Sequence, residues 1–196
     1  AICFFIGVFY TFGPIPISRM PLGEVLSGLT MGFGIFWITV FLNVPEGVVF
    51  AGVQLDGSIL TMQLDIVSQL KVFLLSLPLV CTIANIMLSN NICDLETDIT
   101  NHRYTLVYYI GKKQALVLYQ VLYGVAFGAM ILAVLLGVAP WTLLGVLVVG
   151  IPVYKHIQQF KAHQEKKTTF ALAIKNMVMI HSLQAVLLFV AVLFFN

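Results

Sequence analysis

Apolar residues in this chain come in long unbroken runs instead of alternating with polar ones, and that pattern sets the architecture. Val25–Leu42, Val72–Ser89, Ala115–Leu136 and Ala171–Phe195 are each close to the length of a membrane-crossing helix, and Trp141–Tyr154 is a shorter fifth run. A spanning helix needs ~20 largely apolar residues at about 1.5 Å rise each. The opening stretch AICFFIGVFY reads as part of a sixth span. Strands of a membrane barrel would instead alternate over segments of about ten residues. Polar breaks separate the runs: TFGPIPISRMPLG with three prolines, the loop 43–69, the acidic segment 90–103, GVAP at 137–140, and a Lys-rich stretch after Tyr154. The pattern predicts an all-α integral membrane protein, a multi-helix transmembrane bundle formed as one domain over residues 1–196.

Composition agrees. Hydrophobic residues make up 60% of the chain and charged residues 9%, with a mean hydropathy of +1.02, whereas soluble domains carry about 25% charged residues. A net charge of +2, with the basic residues spread over several loops, excludes nucleic acid as the expected partner. Cys3, Cys81 and Cys93 show no metal-site or disulfide spacing and read as free thiols. The first residues have neither an initiator Met nor a basic flank and do not read as a signal peptide. The sequence is therefore expected to be an amino-terminally truncated part of a longer protein.

Basic residues also orient the bundle. With alternating spans, Arg19, Arg103, Lys112, Lys113, Lys155, Lys161, Lys166, Lys167 and Lys175 fall on one side and Lys71 on the other. The positive-inside rule predicts that the nine-residue side is cytoplasmic. The loop 43–69, with Glu46, Asp56 and Asp65, then faces out.

That basic side also holds an anomaly. Asp94, Glu96 and Asp98, three of the eight acids in the chain, crowd into five positions of NNICDLETD. Acids so close repel one another, and burial strips their hydration, so they require water or a cation. On a continuous helix Asn90, Asp94 and Asp98 share one face, while Glu96 points elsewhere. Two carboxylates one turn apart suit Mg²⁺, a hard ion usually completed by substrate phosphates and water. Arg103 lies just beyond, able to pair bidentately with a diphosphate, and Lys112 and Lys113 add to the field.

NNICDLETD followed by NHRYTL and YIG resembles the second aspartate-rich motif of the UbiA superfamily of intramembrane prenyltransferases. YTFGPIPISRMPLGE, Tyr10 to Glu24, is similar to a stretch found in the branch that prenylates 1,4-dihydroxy-2-naphthoate on the way to menaquinone. The resemblance implies a bundle of nine helices, of which this chain would hold the last six. It further implies two aspartate motifs facing each other across Mg²⁺ and a polyprenyl diphosphate, the first of them having no counterpart here. Carried onto this sequence, Asp94 and Asp98 would be Mg²⁺ ligands and catalytic groups. Asn90, Asn91, Arg103 and Lys112 would bind the diphosphate. Tyr10, Gly13 and Pro14 would lie on the side of the aromatic acceptor. The lipid bilayer would hold the isoprenoid tail.

Two positions depart from that pattern: Cys93 stands where Arg is usual, and Asn101 where Gly is usual, Asn being tolerant of the left-handed conformation that ends a helix. Acceptors of the 4-hydroxybenzoate or haem type are alternatives within the family. A transporter subunit is the alternative outside it, although no repeated halves are evident. A phosphatidyltransferase of the CDP-alcohol type would require a signature that the chain lacks. His156 and His163 read as solvated or headgroup-facing, and Asn176 and His181 as helix-to-helix hydrogen-bonding groups. Gly28, Gly32, Gly34, Gly124 and Gly128 read as packing faces, and Trp37 and Trp141 as an interfacial belt.

Overall fold

A computed structural model describes residues 20–45, 48 and 50–194, so the opening span, Arg19 and the expected acceptor-side residues Tyr10, Gly13 and Pro14 lie outside the described residues. Among the described residues, five helices are long and apolar enough to cross a membrane: α1 (Gly23–Leu42), α2 (Ile66–Cys93), α4 (Leu106–Leu135), α5 (Trp141–Ala162) and α6 (Ala171–Phe194). A short helix, α3 (Leu95–Thr100), follows α2. The large apolar side chains that remain exposed, among them Leu135, Val148, Phe189 and Phe194, face outward from a bundle that has lipid for a solvent.

The short fifth run is longer in space than its residue count implies. Trp141–Val149 is a 3₁₀ helix that passes into an α-helix over Gly150–Ala162. A 3₁₀ stretch rises about 2.0 Å per residue, so a modest number of apolar residues covers much of a bilayer.

Helix α2 is the hub. It packs on α1, α4 and α6 and carries Leu88 and Ile92 into a core shared with Tyr119, Tyr123, Phe160 and Ile180. Its approach to α1 depends on two glycines. A Cβ on Gly32 would lie 2.6 Å from the backbone of Val80, and one on Gly28 would lie 2.8 Å from the Val80 carbonyl oxygen, so only glycine permits this spacing. The other candidates for packing faces differ: a Cβ on Gly34 would make only an ordinary contact, and Gly124 and Gly128 face open space.

The loop 43–69 holds unexpected structure. Residues Ala51–Asp56 (β1) and Ile59–Leu64 (β2) pair antiparallel, with Asp56 opposite Ile59. Asp56-Gly57 is a known hairpin signal, and Gly57 has φ 60°. Asp65 then caps α2 through Val67 N at 3.1 Å and the Ser68 hydroxyl; these hydrogen bonds hold its carboxyl below the usual range. Beside the hairpin Trp37 stacks on Phe41, with centroids 5.2 Å apart, and packs against Phe50, as an aromatic belt would.

Several buried polar groups inside the bundle pair across helices. Asn176 Nδ2 donates to the Tyr123 hydroxyl at 3.1 Å, and the His156 Nδ1 proton goes to Asn176 Oδ1 at 2.6 Å. Tyr119 completes the chain, its hydroxyl 3.4 Å from that of Tyr123. His156 is therefore a bundle residue and not a solvated one, because its helix turns it toward α6. The Thr82 hydroxyl lies 2.8 Å from His181 Nε2, so His181 and Asn176 both link helices as expected.

Candidate active site

Where α2 runs out, the acidic segment begins. Asp94 closes α2 and opens α3 with φ −94° and ψ 4°, so the helix bends there instead of running straight through. The bend keeps the register: Asp94 N donates to Asn90 O at 3.0 Å and Asp98 N to Asp94 O at 2.7 Å. Asn90, Asp94 and Asp98 remain on neighbouring turns, Asp98 is buried and Glu96 is exposed.

A Schellman turn ends α3 and delivers Arg103. His102 adopts the left-handed conformation with φ 54°, its N–H bonds Ile99 O at 3.1 Å, and Arg103 N bonds Asp98 O at 2.8 Å. Asn101, expected to be the left-handed residue, keeps φ −90° as the cap; the turn requires the reversal one residue later. Closure of this turn brings the Arg103 guanidinium to 3.2 Å from Asp98 Oδ1. Two residues on, Thr105 starts α4, which is broken at Gly111 (φ 79°, ψ 154°) just before the exposed Lys112. Only glycine adopts that backbone readily.

Two further residues reach the segment from elsewhere in the chain. Lys166, in the turn between α5 and α6, donates from Nζ to both Asn90 Oδ1 and Asp94 Oδ2. Glu24, in the first turn of α1, is 3% exposed and accepts a hydrogen bond from Asn91 Nδ2 at 2.8 Å. Glu24 ends the stretch from Tyr10 already singled out, yet nothing local assigned it a partner. Lys166 is one of many loop lysines, with no local signal at all.

The electrostatics of the site are unbalanced in a specific way. Burial raises the Asp98 carboxyl above the ordinary range, and Asp94 adds to the rise, against the pull of Arg103 and Lys166. Glu24 Oε2, Asn91 Oδ1 and Asp98 Oδ2 are buried without a hydrogen-bond partner. All three are acceptors, and buried acceptors left unpaired ask for a donor or a cation. The tether from Asn91 Nδ2 to Glu24 commits the amide nitrogen and leaves its oxygen directed elsewhere. Oxygen-only donors of this kind fit a hard divalent ion. Among the described residues no three of His, Cys, Asp and Glu converge on one metal position, so a metal here would need further ligands from substrate, water or other residues.

Asn90 and Asp94 share Lys166, Arg103 is placed on Asp98, and Asn91 is paired with Glu24. Lys112 sits exposed beyond Gly111 at the same end of the bundle.

Comparison with known proteins gives the site its context. The sequence profile of the UbiA prenyltransferase family matches residues 1–183. The chain is 31% identical over 157 residues to a 1,4-dihydroxy-2-naphthoate octaprenyltransferase of Bacillus subtilis (strain 168), an alignment covering 80% of this chain and 42% of that protein. The chain thus spans less than half the length of this curated relative. No solved structure matches it. With membrane helices, the acidic segment at the end of α2 and a profile match over nearly the whole sequence, the chain belongs to the UbiA prenyltransferase family.

Proposed function

We propose that this chain contributes the diphosphate-binding half of a Mg²⁺-dependent prenyltransferase. The enzyme would move a polyprenyl group from polyprenyl diphosphate to an aromatic acceptor, 1,4-dihydroxy-2-naphthoate in menaquinone biosynthesis. The observation that carries the reading is the set of buried, unpartnered acceptor oxygens on Glu24, Asn91 and Asp98, flanked by Arg103 and Lys166. Asp94 and Asp98, supported by Asn90 and Asn91, would hold the metal. Bound there, Mg²⁺ supplies Lewis-acid neutralisation of the charge that grows on a leaving diphosphate.

The remaining work belongs to the side chains and the bundle. Arg103, set on Asp98 by its turn, would bind diphosphate oxygens, and Lys112 adds positive field at the same end. Apolar helix surfaces keep water from the allylic carbon as it becomes electron-poor, and the bilayer accommodates its tail. The acceptor assignment rests on the activity of the Bacillus subtilis relative and on the YTFGPIPI stretch, with Tyr10, Gly13 and Pro14 on the acceptor side. The nine-to-one distribution of basic residues supports a multi-pass protein of a bacterial cell membrane with the site facing the cytoplasm.

The test is transfer of a radiolabelled polyprenyl chain to dihydroxynaphthoate in membranes bearing the full-length protein, with and without Mg²⁺. Mg²⁺-dependent product that disappears in Asp94→Ala and Asp98→Ala supports the reading. Product with another aromatic acceptor only would overturn the acceptor assignment. Failure of well-folded protein with every acceptor would overturn the enzyme reading and favour a cation-linked transport role.

A further inference from the structure

Lys166 occupies the oxygens that the proposed function gives to the metal, and the inference drawn here rests on that proposal. Its ammonium bonds Asn90 Oδ1 and Asp94 Oδ2 together. A divalent ion seated on the same two oxygens would compete with the ammonium for their lone pairs and repel it at contact distance. Either Lys166 keeps the metal out, or it leaves when the metal arrives.

Its surroundings favour departure. The side chain is 45% exposed and that of Asp94 26%, so the pair is hydrated and weakly held. Lys166 lies in the turn between α5 and α6 and not on either helix, and its four-carbon stem can swing without disturbing the core. The Phe170 ring, 5.3 Å from Nζ, offers the cation a second resting surface. A diphosphate carried in on the metal would place anionic oxygens within the sweep of that stem.

We propose that Lys166 is a mobile cation of the site: it holds the Asn90–Asp94 oxygens in metal-free protein and passes its ammonium to the diphosphate when Mg²⁺ takes those oxygens. The device keeps two acceptor groups satisfied before substrate arrives and adds a diphosphate contact afterwards. It makes Lys166 a competitor of the bare metal and an ally of the anion. Removal of the charge therefore shifts the two affinities in opposite directions, whereas a merely structural lysine would shift both the same way.

The experiment uses the full-length protein in detergent, with Mn²⁺ followed by electron paramagnetic resonance and inorganic pyrophosphate titrated at saturating Mn²⁺. Lys166→Met is expected to bind Mn²⁺ alone about threefold to tenfold more tightly and pyrophosphate about tenfold more weakly, the scale of one charge-assisted contact. Lys166→Arg keeps the charge and is expected to stay within about threefold of the parent in both. Should Lys166→Met leave both affinities unchanged, or weaken both, while Asp94→Asn abolishes Mn²⁺ binding, the mobile-cation proposal is overturned and the metal site stands. Should the parent bind no Mn²⁺, or Asp94→Asn bind it unaltered, the metal reading falls and the Lys166 proposal with it.

Discussion

Two polar clusters are buried in this apolar molecule, and they are built on opposite plans. Between α4, α5 and α6, the groups of Tyr119, Tyr123, Asn176 and His156 satisfy one another; close by, Asn85 donates to the Tyr119 carbonyl and leaves one oxygen unpaired. At the end of α2, by contrast, Glu24, Asn91 and Asp98 each leave an acceptor oxygen buried and unpartnered. The first cluster is closed and needs nothing more. The second is open, and since an unpaired buried acceptor costs about 1–3 kcal/mol, the fold bears a penalty there that a cationic ligand would relieve. The closed network ties helices together in lipid, and the open one leaves several acceptor oxygens on one end of the bundle.

The sharpest way to break this contrast is to remove ligands from the open cluster. Asp98→Ala and Asp94→Ala should each lower prenyl transfer by more than ~100-fold, since even partners outside a ligand shell cost about 10–100-fold when lost. Melting temperature should change little by comparison. Glu24→Gln comes next: the amide can still accept from Asn91 but puts a donor where an acceptor stood. A roughly tenfold to hundredfold loss of transfer is expected, measured as the Mg²⁺ dependence of the rate.

The closed cluster should respond in the other currency. Asn176→Leu removes the partner of His156 Nδ1 and one of the two partners of the Tyr123 hydroxyl, so thermal unfolding should show a loss of about 1–3 kcal/mol. Metal affinity measured on folded protein should be unmoved. Equal effects on binding and stability at both clusters would erase the distinction.

A smaller effect follows from pH. Burial raises the folded-state pKa of Asp98, so the folded protein binds its proton more tightly than the unfolded chain does. Its contribution to stability is therefore fully present below the unfolded value, ~3.9, and is lost as pH rises through the raised folded value. Chemical denaturation of metal-free protein across that window should show the loss, and Asp98→Asn should flatten it.

Much of this could be read from the chain before its fold. Spans announce themselves because lipid tolerates no mixed pattern, and the acidic run stands out against a sequence with eight acids in all. What escaped was non-local or geometric. Lys166 lies 72 residues from Asp94 and Glu24 lies 67 from Asn91, and no local pattern links either pair. The hairpin at Asp56-Gly57 was hidden because its strands are short beside the spans. The reversal at His102 instead of Asn101 follows from which carbonyl Arg103 N must reach, and that depends on where α3 bends at Asp94.

The most direct test of the open cluster is the melting temperature of the full-length protein with Mg²⁺ and a non-hydrolysable prenyl thiodiphosphate. Binding to the native state at ~100 times Kd contributes about 2.7 kcal/mol, so the parent and Asn176→Leu should both gain a clear upward shift. Asp94→Ala and Asp98→Ala should gain none. An equal shift in all four proteins, or none in the parent, would contradict the assignment of the unpaired oxygens at the end of α2 to a metal-bound diphosphate.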